Sequence, residues 1–93
     1  MGHLRISGFE WDRNNLWKPF KHGIRPEEVE EVFHNRPIRF LNTRSGRRIV
    51  LGRSDAGRYL TIVFEYKPGG IVRPITARPM KPAERKYFKR RSG

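Results

Sequence analysis

The chain has 93 residues, and its 21 Lys and Arg against 9 Asp and Glu give a formal charge of +12. A compact domain so charged repels itself, and a polyanion or an acidic partner relieves that repulsion, with nucleic acid the default partner. With 35% hydrophobic residues and no cysteine, the chain holds one modest core and excludes a disulfide scaffold, a cysteine nucleophile and a thiolate zinc site.

Leu4-Arg5-Ile6-Ser7 alternates apolar and polar residues and predicts a short strand. Asp12 is placed to cap a helix over 13–20, with Leu16 and Phe20 on one face. Pro19 removes a donor inside that helix and shortens or distorts it, and Gly23 stops it. Pro26 opens a second helix, whose Glu27 and Glu28 suit its positive end. Val29, Val32 and Phe33 form its buried stripe; Arg25 is a poor cap, and Pro37 marks the exit. The period then falls to two. Strands are predicted over 38–42, 48–53, 59–66 and 71–78, with turns at 43–46, 54–57 and 67–70. The third strand is hydrophobic almost throughout, as a central strand is. Pro74 cannot donate to a ladder, so the last strand lies at an edge or carries a bulge. Pro82 starts a C-terminal helix over 83 to about 90, with Tyr87 and Phe88 as its apolar contacts. The fold class is α+β: two N-terminal helices, an antiparallel meander of three or four strands and a C-terminal helix. One domain spans 1–93, fraying from about residue 90.

No apolar run reaches the roughly 18 residues of a membrane span, and Met1-Gly2-His3-Leu4-Arg5 lacks a signal-peptide core. A cytoplasmic protein is expected. Seven of the last sixteen residues are Lys or Arg, opposed by Glu84 alone, which marks the C-terminal region as the basic surface.

Three stretches carry a family resemblance. Phe9-Glu10-Trp11-Asp12, Lys21-His22-Gly23-Ile24 and Pro26-Glu27-Glu28-Val29-Glu30-Glu31-Val32-Phe33 resemble the opening of BrnT-family toxins. Leu51-Gly52-Arg53-Ser54-Asp55-Ala56-Gly57-Arg58-Tyr59-Leu60 is similar to that family's G-R-(S/T)-x-x-G-R-x-L segment. Ile75-Thr76-Ala77-Arg78 followed by Glu84-Arg85-Lys86-Tyr87 is similar to its closing segment. The resemblance covers roughly residues 9–88. Arg25, Pro74 and the Pro79, Lys81, Pro82 group depart from the family pattern. The resemblance implies a fold similar to the RelE/ParE superfamily and a ribonuclease toxin of a type II toxin–antitoxin pair that halts translation. It further implies a BrnA-like ribbon-helix-helix antitoxin as partner, and contact with operator DNA only through that complex.

Cutting RNA without a metal requires a base for the 2′-OH, an acid for the departing 5′-oxygen and cations for the phosphate. His22, beside Lys21 and Gly23, suits proton transfer because histidine titrates near neutral pH; the plainer reading is a histidine that caps a helix end. Lys21 is a phosphate contact or a base, or else a solvated lysine. Arg53 and Arg78 end strands and can converge on one phosphate through their planar forks. Arg73 lies an odd number of residues before Arg78 and so faces the other side, unless a bulge at Pro74 restores the face. Tyr87, Arg85 and Lys86 on the last helix are candidate RNA contacts, although a tyrosine there more often belongs to the core. Glu84 is a base or an arginine's ion-pair partner. The three histidines lack metal-site spacing, so no metal or cofactor is expected. The acidic stripe Glu27, Glu28, Glu30 and Glu31 would repel RNA, which places the RNA surface at the sheet face or rim near His22, Arg78 and the last helix. Two other readings stand beside the ribonuclease: a ParE-like toxin acting on a protein target, and a catalytically silent nucleic-acid-binding module.

Overall fold

The computed structural model describes residues 4–16, 22–43 and 45–92. Five strands form one sheet: β1 (Gly8–Phe9), β2 (Arg39–Asn42), β3 (Arg48–Arg53), β4 (Tyr59–Lys67) and β5 (Ile71–Pro79). Two helices, α1 (Pro26–His34) and α2 (Pro82–Ser92), complete the described fold. The strand order is β1-β5-β4-β3-β2.

β2 to β5 form the antiparallel meander that the period-two patterning predicts, with β4 at its centre. Gly69 and Gly70, at φ 85° and 78°, supply the left-handed turn between β4 and β5.

Two expectations are corrected. The sheet is mixed rather than purely antiparallel: β1 pairs parallel with β5, Gly8 opposite Ile71 and Phe9 opposite Val72. That strand begins beyond the alternating stretch 4–7, because the backbone bonds that fix it run from Ser7 N to Gly70 O and from Glu10 N to Val72 O, both 2.8 Å. The predicted arrangement of two N-terminal helices is not met either. Residues 13–16 form a turn, in which the Asp12 carboxylate accepts from Asn14 N at 2.8 Å and the Asp12 carbonyl from Leu16 N at 3.0 Å. Asp12 thus caps a single turn, and the rest of the predicted helix lies outside the described residues. β5 takes the second of the two predicted options: it lies inside the sheet, between β1 and β4, and carries a bulge beside its proline. Val63 opposes Thr76 and Phe64 opposes Pro74, so Ile75 is extra. The Pro74 carbonyl accepts from the Asn15 side chain at 2.7 Å.

The two sheet faces bury different cores. On one face, Val29, Val32 and Phe33 of α1 meet Val50, Leu60, Ile62, Phe64, Val72 and Ala77. Phe33 packs edge-on against Phe64 at 5.2 Å and against Phe9 at 5.4 Å. Each fully buried large side chain here contributes about 1.5–3 kcal/mol. Gly52 lets α1 approach β3: a Cβ there would lie 2.8 Å from the Val32 methyl. On the other face, Leu51, Met80 and Phe88 form a smaller core beneath α2, with Leu41, Ile49 and Tyr59 at its margin. Of the predicted apolar contacts of α2, Phe88 is buried and Tyr87 is exposed. The helix runs to Ser92, beyond the predicted end near 90.

Candidate nucleic-acid interface

The rim of the sheet where β3 ends and β4 begins collects the basic side chains. Arg53 and Tyr59 are register partners across the β3–β4 turn. The Tyr59 ring is flanked by cations: the Arg85 guanidinium carbon at 4.3 Å from its centroid, Lys89 Nζ at 5.3 Å and the Arg53 guanidinium carbon at 5.6 Å. Phe88 packs edge-on against the ring at 5.9 Å. The Tyr59 phenol is held below its ordinary value, first by its hydrogen bond with Arg53 and then by the charges of Lys89, Arg53 and Arg85, against an opposing contribution from burial.

Arg58, one residue before Tyr59, ties a neighbouring loop to this rim. Its guanidinium donates to the Gly23 carbonyl at 3.1 Å and to the His22 carbonyl at 3.4 Å, and pairs with Glu28 of α1 at 3.1 Å. His22 is an exposed turn residue, and Gly23 beside it has φ 69°. Lys21 lies outside the described residues.

Arg78 sits opposite Thr61, two residues along from Tyr59. Both ends of its fork meet the Glu84 carboxylate at 2.8 Å. Glu84 also accepts from Thr61 Oγ1 at 2.9 Å and from the backbone N–H of Lys81 at 2.8 Å. That last bond is the glutamate half of a capping box, which starts α2 although no serine or threonine stands before Pro82. The Arg78 fork, aided by Lys81 N–H and Thr61, lowers the Glu84 pKa to about 2, and Arg78 in turn rises above its ordinary value.

Arg73 shares the sheet face of Arg78: its partner Glu65 and Arg78's partner Thr61 are both odd-numbered on β4, and the skipped Ile75 restores the parity. It sits nearer the other end of β5, however. There it grips Asp12 at 2.8 and 3.2 Å and approaches Glu10 at 3.4 Å. Arg73 pulls the Asp12 pKa down, and Lys67, bonded at 2.8 Å, does the same to Glu10. On α2, Lys86 and Tyr87 are exposed.

The structure therefore brings Arg53 and Arg85 together at Tyr59, sets Arg78 nearby on Glu84, and leaves Arg73 apart, while His22 is linked to this end of the sheet only through its carbonyl, on the α1 side by way of Arg58. Sequence reasoning missed Tyr59, Lys89 and Arg58. The i, i+4 spacing of Arg85 and Lys89 is visible in the sequence, but the strand register that sets Tyr59 between them and Arg53 is not. Among the described residues, no group of three or more His, Asp and Glu side chains could hold a metal ion, and no helix is long and apolar enough to cross a membrane.

Fold and rim together define a small basic α+β domain with a cluster of cations around Tyr59 at one end of its sheet. Residues 11–84 match the family described as ribonuclease toxin, BrnT, of type II toxin-antitoxin system, and the chain belongs to that family. No curated protein matches the chain. The match ends at Glu84, so Arg85, Lys86, Tyr87 and Lys89 lie beyond it.

Proposed function

We propose that this protein is a metal-independent endoribonuclease toxin that cuts RNA to block translation and is silenced by a BrnA-like ribbon-helix-helix antitoxin. The observation that carries the reading is a match to ribonuclease toxins over residues 11–84 in a chain whose rim gathers Arg53, Arg85 and Lys89 around Tyr59. In this reading the His22 imidazole, with Lys21 beside it, takes the 2′-OH proton, and the 2′-oxygen attacks phosphorus. The 5′-oxygen leaves with a proton, giving a 2′,3′-cyclic phosphate and a free 5′-OH. Arg53 and Arg85 stabilise the charge on the phosphate oxygens. Arg78, held by Glu84, acts mainly by fixing α2 against the sheet, so that Arg85, Lys86 and Tyr87 face the RNA. Arg73 would contact the strand only by leaving Asp12. The antitoxin covers the rim with acidic residues, and the pair meets DNA through the antitoxin. The setting is the cytoplasm, and the fold is of the RelE/ParE kind.

A ParE-like action on a protein target is the competing reading, favoured by how few of the rim's groups are proton-transfer groups. Purified RNA incubated in EDTA with wild type, His22→Ala and Arg53→Ala decides between them. Cyclic-phosphate ends from wild type, reduced about 10²–10⁴-fold in His22→Ala, are expected. Equal cutting by all three would remove His22 and Arg53 from the chemistry. No cutting of free or ribosome-bound RNA by wild type would overturn the ribonuclease reading.

A further inference from the structure

Three cations gather at the ring of Tyr59. Arg85 and Lys89 reach it from successive turns of α2, and Arg53 reaches it from β3. Cation–π attraction at a partly buried ring is worth about 0.5–2 kcal/mol per cation, set against repulsion among three like charges. Four arginines elsewhere meet carboxylates: Arg47 with Glu65, Arg58 with Glu28, Arg73 with Asp12 and Arg78 with Glu84. Neither Arg53 nor Arg85 is in such a pair among the described residues. On the flanking elements Glu84 is committed to Arg78, and Asp55 accepts from the Asn35 amide at 3.0 Å without entering an ion pair among the described residues. The guanidiniums of Arg53 and Arg85 can therefore take an anion from outside the chain.

A phosphodiester fits these donors. It offers two non-bridging oxygens to the planar forks of arginine and to an ammonium, and it accepts a hydrogen bond from a phenol. A phenol made more acidic by the surrounding cations is the stronger donor. We infer that Arg53, Tyr59, Arg85 and Lys89 form a cradle for one phosphodiester of a single RNA strand, Tyr59 donating to a non-bridging oxygen while the cations neutralise it. The choice of RNA as the anion rests on the ribonuclease reading; the cradle itself rests on the geometry.

The test is binding of a fluorescent 2′-O-methyl RNA hexamer, which has no 2′-OH to attack and cannot be cut by that route. Affinity is read by anisotropy across a salt series for wild type, Arg53→Ala, Arg85→Ala, Lys89→Ala and Tyr59→Phe, after circular dichroism shows each variant folded. Each cation removed should weaken binding about tenfold at low salt and reduce the slope of log K against log salt by roughly 0.7. Tyr59→Phe should weaken it several-fold with the slope unchanged, because it removes a donor and no charge. Arg47→Ala, at the far end of β3, should change affinity less than twofold. Unchanged slopes in the three cation variants, a hexamer that wild type does not bind, or an Arg47→Ala effect as large as theirs would overturn the cradle. Because the ligand cannot be cut, hexamer binding with the expected slopes and no RNA cleavage would sink the ribonuclease reading alone. Cleavage with unchanged slopes would sink the cradle alone.

Discussion

One carboxylate holds the C-terminal helix to the sheet. Glu84 accepts both ends of the Arg78 fork, the Thr61 hydroxyl and the N–H that opens α2. Its ordinary pKa of 4.5 falls to about 2 in the fold. A depressed acid stabilises the fold fully above its unfolded pKa, and that contribution is lost as pH falls from about 4.5 through about 2. Discounted for solvent screening, it amounts to on the order of 1–2 kcal/mol at neutral pH. Glu84→Gln should therefore lower Tm by roughly 4–8 °C per kcal/mol at pH 7, and its melting curve should converge with wild type near pH 2. Curves that stay equally far apart at pH 2 would mean that the charge is not what matters. The sequence shows Glu84 only as the lone acid in a basic segment. That it answers Arg78 depends on β5 delivering Arg78 beside the first turn of α2, a tertiary fact. Tyr59 was illegible for the same reason: its meaning lies in three cations that reach it from two other elements. Arg53 was legible as a candidate because it ends a strand inside a short motif.

Elements with a clear period were read correctly, and those without one were not. The meander follows from alternating β-branched and aromatic runs broken by Gly-rich turns, and α1 from Pro26 and the Val29, Val32, Phe33 stripe. In the segment 13–16 the Asp12 side chain and carbonyl accept the first backbone N–H groups, as the capping role predicted for Asp12 requires. β1 has only two residues, below what alternation can signal. At Gly52 the packing of α1 on β3 is tightest, with a would-be Cβ 2.8 Å from Val32 Cγ1 and 3.5 Å from the Val32 carbonyl oxygen. Gly52→Ala should cost about 1–3 kcal/mol by overpacking, seen as a lower urea midpoint with an unchanged m-value. A neutral effect would show that Val32 turns away without cost, and Val32→Ala in the same background should recover part of the loss.

At the scale of the molecule, charge is divided along the chain. Six of the nine acids, Glu10, Asp12, Glu27, Glu28, Glu30 and Glu31, fall within the first 31 residues. They serve the N-terminal arm and α1: Trp11 Nε1 donates to Glu30 at 2.8 Å, and Asp12 with Glu10 grips Arg73. The residues after Glu31 hold 16 of the 21 basic side chains and three acids, so the excess positive charge falls in the part of the chain that forms the meander and α2. The parallel pairing of β1 has a consequence for the order of assembly. β2 to β5 are joined by local hairpins and complete their ladders between residues 39 and 79, whereas β1 waits for partners at 71 and 72, more than sixty residues downstream. Loop closure over that span costs more than closing a hairpin, so the arm docks after the meander and undocks before it. Native-state hydrogen exchange should show the amides of Ser7 and Glu10 opening in a step that leaves β3 and β4 protected. A single opening free energy shared by all of them would mean that the arm and the meander fold as one unit. With the expected result, the first-made strand is the last part of the sheet to close, and a newly synthesised toxin has its basic rim in place before its N-terminal clasp is fastened.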